Sequence, residues 1–136
     1  VLTRASVAAR DGLAVKARIV AHAAHAHEPA KFTTAPVPAI RKVLAKAGWT
    51  VADVDLFEVN EAFAAVAMIA MHDLNIPHEK LNIHGGACAL GHPIGASGAR
   101  IVATLLAALE RTGGTRGVAA LCIGGGEATA IAVERL

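Results

Sequence analysis

The chain has 136 residues, of which 54% are hydrophobic and 18% charged, with a formal net charge of +2. That length fits one domain with its own core, and so apolar a composition excludes an intrinsically disordered chain. Only 3% of residues are aromatic, and the small positive charge is spread along the chain. A base-stacking platform and a clustered basic nucleic-acid footprint are both excluded.

Residues 3–10 are compatible with a short helix closed by Asp11-Gly12. Residues 14–21, with Val15, Ile19 and Val20, predict a strand. Residues 22–38 read as a loop broken by Pro29, Pro36 and Pro38. Residues 38–48 predict a helix with a proline at its start and Gly48 just past its end. Ile40, Val43, Leu44 and Ala47 recur there at helical spacing and give it an apolar face. Residues 54–59 predict a strand. Asn60 then stands as N-cap of a helix running to about residue 74, with Phe63, Val66, Ala67 and Ala70 on one side. Residues 81–83 are a short strand candidate, and residues 84–98 a glycine-rich stretch. Residues 97–111 predict an amphipathic helix carrying Ile101, Val102, Leu105, Leu106 and Leu109. Residues 118–123 and 128–133 predict an antiparallel hairpin across Gly124, Gly125 and Gly126. The order β-α-β-α-β-α-β-β predicts an α/β fold, a parallel or mixed sheet covered by helices on both faces, and the hairpin makes it a mixed five-stranded sheet.

Every long apolar stretch is cut by Gly, Pro or a charge before ~18 residues, so no membrane span is expected. The N-terminal stretch does not have signal-peptide architecture. Its opening on Val1 rather than Met leads to the expectation that the sequence begins inside a longer chain. Cys88 and Cys122 make neither a disulfide framework nor a CxxC site, which points to a reducing, cytoplasmic compartment.

Four places could carry chemistry. In 84–98, five glycines surround His92 ahead of a helix. Glycines let backbone approach closely, and such a loop can cradle an anion or simply pack tightly. His92 stands between Gly91 and Pro93, so its backbone is fixed and its ring can be aimed. Cys122 ends an apolar strand before three glycines. Their N–H groups could hold a developing oxyanion, and a thiol moved toward neutrality can act as acid or base; a buried small hydrophobe is the commoner fate of cysteine. Asn60 in Val59-Asn60-Glu61-Ala62-Phe63 caps or catalyses, capping being the commoner role. His22, His25, His27 and Glu28 could gather a metal. Their HxxHxH spacing is not a familiar ligand pattern, so a solvated loop and no metal site are expected. Cys88 reads as a loop or core residue, since nothing basic flanks it closely.

The segments TAPVPAIRKVLAKAGW at 34–49, EVNEAFAAVA at 58–67, HGGACALGHPIGASGARIV at 84–102 and LCIGGG at 121–126 together resemble the C-terminal domain of the thiolases. The resemblance covers the chain from about Ala14. It implies that residues 1–13 end a preceding domain or linker and that 14–136 form a layered domain, the second half of a two-domain fold. It also implies acyl transfer between acyl-CoA molecules: formation of acetoacetyl-CoA, or thiolysis of 3-ketoacyl-CoA. Coenzyme A thioesters would be substrates, with no covalently bound cofactor and no metal.

The family's nucleophilic cysteine lies in the N-terminal half, and neither Cys88 nor Cys122 replaces it. By the resemblance, His92 activates that nucleophile and lines an oxyanion hole. Cys122 is the acid/base at the acetyl-CoA α-carbon. Asn60 holds a water completing the hole with His92, and Gly124 contributes a backbone N–H to a second hole. The implied partners are an N-terminal thiolase domain and further copies of the protein. The isolated chain is expected to be inactive. A stand-alone, non-catalytic half that binds a partner chain or lipid-like ligand is the alternative. Glu127, where the family has Gln or an apolar residue, either raises the Cys122 pKa or points to solvent.

Overall fold

The helices with the clearest apolar repeat, 38–48 and 97–111, are the ones that bury a stripe against a sheet, one on each face. The computed structural model describes residues 1–136. Its elements are α1 (Ala5–Arg10), β1 (Ala17–Ala26), α2 (Pro36–Ala47), β2 (Leu56–Val59), α3 (Ala64–Leu74), the one-turn α4 (Ala87–Leu90), α5 (Ser97–Thr112), β3 (Arg116–Ile123) and β4 (Glu127–Arg135). The sheet has the order β1-β4-β3-β2. β2 runs parallel to β3, and the other two pairings are antiparallel.

The pleat sends alternate residues of each strand to opposite faces. Val118, Ala120 and Cys122 of β3, with Phe57 and Val59 of β2, pack against Ile40 and Val43 of α2 and Val66 and Ala70 of α3. Ala119, with Leu56 and Val133, faces Ile101, Leu105 and Leu109 of α5. Each large apolar side chain among these, fully buried, stabilises the fold by about 1.5–3 kcal/mol. The many alanines of β3 and β4 keep these helices close to the sheet.

The α/β class and mixed sheet are as expected, but the sheet has four strands, not five. Residues 81–83 contribute one parallel bridge, Leu81 with Phe57. Asn82 then adopts φ +50° and turns the chain away. Its side chain does what a strand backbone would: Oδ1 accepts the Val59 N–H and Nδ2 donates to the Val59 carbonyl, both at 2.9 Å.

β1 runs through Ala26, so the histidine-rich segment expected as loop is mostly strand. It pairs with β4 from Ala17 to Ala26, with a register shift at Val20. Its free edge is covered by lysines of α2, with Lys46 Nζ donating to the His22 carbonyl at 3.0 Å and Lys42 Nζ to the Ala24 carbonyl at 3.3 Å. Helix α3 starts at Ala64 after Phe63, not after Asn60. Phe63 is 60% exposed and is not part of the expected apolar face, whereas Val66, Ala67 and Ala70 are buried. No helix is long and apolar enough to cross a membrane.

Candidate active site

Parallel pairing of β2 and β3 puts their carboxyl ends on the same edge, the usual place for chemistry in α/β sheets. Asn60 is the first residue beyond β2. Its backbone N–H still bonds the Ala120 carbonyl at 2.9 Å, continuing the ladder by one step. The expected cap is therefore corrected: Asn60 is buried in the sheet edge and makes no helix-capping bond. Its amide nitrogen instead lies 3.3 Å from His92 Nε2 and 3.5 Å from Nδ1. Its Oδ1 is buried without a partner in the chain.

Gly91, at φ +90°, makes the turn that delivers His92, a conformation a side chain would strain. The ring is fixed from behind by Ser97, whose Oγ lies 2.6 Å from Nδ1 and 3.1 Å from the Pro93 carbonyl oxygen. Ser97 is fully buried at the first turn of α5.

Cys122 is the last residue but one of β3, two beyond the Ala120 carbonyl that holds Asn60, and it pairs with Ala128. It is 7% exposed. Burial pushes its thiol pKa up from the ordinary value. No charged group of the chain draws it toward neutrality, and Cys122 shares no side-chain hydrogen bond with Asn60 or His92. Gly124 is exposed in the β3–β4 turn. Thus the structure brings Asn60 and His92 into contact and leaves Cys122 and Gly124 on the neighbouring strand end. Glu127 is exposed and packs its carboxylate over Gly125. It takes no part in the Cys122 shift, whose cause is burial.

The glycine-rich loop does hold an anion, and that anion is the chain's own Glu61. Glu61 accepts the Cys88 N–H at 3.0 Å and an Asn82 amide hydrogen at 3.2 Å. A side chain at Gly86 would occupy the space of the Glu61 carboxylate. Burial opposes its charge, but those hydrogen bonds, helped by Arg100, hold its pKa below the usual carboxylate value. The clamp ties the loop of His92 to the strand end of Asn60.

Beneath it, Glu58 is 2% exposed and faces α5, with Arg100 Nη1 3.4 Å from its Oε2. Burial pushes the Glu58 carboxyl up to about 7, against the pull of Arg100. Sequence reasoning misses Glu58, Glu61, Asn82 and Ser97. A carboxylate between Phe57 and Val59 in an apolar strand is the one available signal.

The histidine cluster falls apart as a ligand set. The pleat turns His22 and His25 to opposite faces, and His27 Nε2 lies 2.8 Å from the Lys31 carbonyl. No three His, Cys, Asp or Glu side chains converge as metal ligands. Of the two readings of Cys88, the core one falls: it is exposed, on the one-turn α4 inside the glycine-rich stretch.

A family profile for "Thiolase, C-terminal domain" matches residues 13–135. The chain is 56% identical over 135 residues to cytosolic acetyl-CoA acetyltransferase of Mus musculus, covering 99% of the chain and 34% of that protein. It is 49% identical over 136 residues to acetyl-CoA acetyltransferase of Escherichia coli, again covering 34% of the relative. The crystal structure of Bacillus anthracis acetyl-CoA acetyltransferase superposes with a TM-score of 0.95 at 42% identity, over 98% of this chain and 34% of that one. The chain thus spans about a third of the length of the relatives it matches. With a matched profile over nearly all its residues and a matching fold, the chain belongs to the thiolase family, as a thiolase C-terminal domain.

Proposed function

We propose that this domain supplies the acid–base half of a thiolase reaction, acting with an N-terminal half that carries the nucleophilic cysteine. The observation that carries the reading is the Asn60–His92 contact, made between residues 32 apart in sequence at one sheet edge, with Cys122 near the end of the adjacent strand. His92 takes the thiol proton of the nucleophile, which attacks an acyl-CoA and forms an acyl-cysteine while coenzyme A leaves. Cys122 removes a proton from the α-carbon of acetyl-CoA; the carbanion attacks the carbonyl of the acyl-cysteine, the C–S bond to the nucleophile breaks and its thiolate leaves, and an acetyl group so transferred gives acetoacetyl-CoA. Run backwards, Cys122 protonates the departing carbanion and the reaction is thiolysis.

The buried Asn60 Oδ1 is an acceptor suited to a water, which with His92 would form one oxyanion hole; the Gly124 N–H would serve the other. A thiol kept protonated by burial suits Cys122 as the acid of thiolysis. For the opposite direction its pKa must come down, and substrate or the N-terminal half must supply the cause.

The division of the chain at 13/14, coenzyme A thioesters as substrates, a homo-oligomer and a cytoplasmic location belong to the same reading; the mouse relative is named cytosolic. The test is thiolysis of acetoacetyl-CoA by the protein at the length of its relatives. Turnover is expected there, none from residues 1–136 alone, and a loss of about 10²–10⁴-fold in kcat for His92→Ala or Cys122→Ala. Turnover by the isolated chain, or an unimpaired Cys122→Ala, would sink the reading. Capture of a partner chain or a lipid-like ligand by residues 1–136, with no turnover at full length, would favour the stand-alone, non-catalytic alternative.

A further inference from the structure

We infer that Ser97 is a positioning residue for His92: its buried hydroxyl keeps a proton on Nδ1 and leaves Nε2 as the free base. This rests on the reading of His92 as the base and concerns how that base is readied.

The Ser97 hydroxyl has one hydrogen and two lone pairs. Serine in a helix commonly gives its hydrogen to the carbonyl four residues back. Here that carbonyl is Pro93, 3.1 Å away. Only lone pairs then remain for the ring, and the atom 2.6 Å away, Nδ1, must carry the hydrogen. A neutral imidazole has one N–H, so Nε2 holds a lone pair. The amide nitrogen of Asn60, 3.3 Å from Nε2 and 3.5 Å from Nδ1, is nearly equidistant from the two ring nitrogens and does not choose between the tautomers, so Ser97 alone sets them.

The arrangement serves two steps without moving the ring. When a thiol gives its proton to Nε2, the products are a thiolate and an imidazolium, and the Nδ1–H bond to Ser97 is unchanged. Nε2–H then points at the same place as a donor for an oxyanion. This is the orienting role a carboxylate plays in hydrolase triads, filled here by a neutral hydroxyl. It also gives a reason for the chain to build Ser97 into the first turn of α5 with no solvent access.

The tautomer can be measured apart from turnover. In the chain labelled with ¹⁵N-histidine, the His92 signals are identified by their loss in His92→Gln, and the ring is observed while neutral. The expected result is the Nδ1–H tautomer in the wild type, a shift toward Nε2–H in Ser97→Ala, and recovery in Ser97→Thr, which keeps the hydroxyl. In the protein at the length of its relatives, Ser97→Ala should lower kcat roughly tenfold, the worth of one hydrogen bond, with KM changed less than about twofold and Ser97→Thr restoring most of the loss. Should Ser97→Ala fail to fold, Ser97→Cys replaces it, since sulfur is a weak acceptor. A wild-type Nε2–H tautomer overturns the inference, as does a variant without the hydroxyl that keeps both the Nδ1–H tautomer and full kcat. Absence of acetoacetyl-CoA turnover by the full-length wild type would instead overturn the proposed function, with the tautomer still deciding the role of Ser97.

Discussion

Gly124 separates a residue needed for folding from one needed for approach. An added Cβ there would meet no heavy atom within 4 Å, and its φ lies outside the left-handed region. Gly124→Ala is therefore expected to leave stability within about 0.5 kcal/mol of wild type, as for surface sites generally. If substrate comes up against this backbone, the same methyl group should lower kcat/KM at full length by roughly tenfold or more, the effect of losing about 1.4 kcal/mol of transition-state binding. Urea unfolding of the chain and steady-state kinetics of the whole protein measure the two effects separately. Unchanged kinetics would remove Gly124 from the site.

The same scale shows which residues announce themselves in sequence. His92 and Cys122 do, because glycines beside a histidine and a thiol are locally odd. Asn60 does so only in part, because an N-cap asparagine and a site asparagine look alike until the backbone is traced. Ser97 lies within the glycine-rich motif and gives no sign that its hydroxyl turns back five residues to a ring.

At the scale of elements, the loop that carries His92 is held by one carboxylate. Gly86→Ala would drive Glu61 out of its seat. The side chain is flexible enough to swing away, so the steric cost is small; the lost bonds to Cys88 N–H and Asn82 are what count. Together they should destabilise the chain by about 1–3 kcal/mol. Glu61→Gln should cost less in the Gly86→Ala background than alone, a coupling of about 0.5 kcal/mol or more on the typical scale of contacting pairs. Additive losses in a denaturant double-mutant cycle would mean that Glu61 does not clamp the loop.

Helices α2 and α5 are legible because a 3.6-residue apolar repeat is a local signal. The full extent of β1 is not, since its strand character comes from pairing with the distant β4 and from lysines of α2 covering its edge. The expected fifth strand is lost for the opposite reason. Leu81 to Ile83 looks extended, but the Asn82 side chain takes the bonds that a strand backbone would have made.

For the whole molecule, one buried carboxyl makes stability fall between mildly acidic and neutral pH. Glu58 sits between the sheet and α5, and burial raises its pKa from 4.5 to about 7 in the folded chain; Arg100 opposes this and Glu61 adds to it. Below pH 4.5 the group is protonated folded and unfolded, so its contribution is fully present. Between 4.5 and about 7 the unfolded chain has released the proton that the folded chain still holds. Fewer protons bound by the unfolded state means that stability falls as pH rises. The loss across that window should approach about 3 kcal/mol, since each pH unit between the unfolded and folded values is worth about 1.4 kcal/mol. Glu61, Asp53 and Asp55, all held below their ordinary values, act in the other direction and at lower pH. Their stabilisation is lost only as pH falls through their folded pKa values, below the Glu58 window. His25, held below its ordinary value, works against the Glu58 trend inside that window, and it is common to wild type and variant. Chemical denaturation of the chain at a series of pH values, wild type beside Glu58→Gln, isolates the effect. The variant has no proton to release, so its stability should exceed that of the wild type increasingly from pH 4.5 to 7; parallel curves would show that Glu58 is ionised throughout and that Arg100 fully offsets its burial.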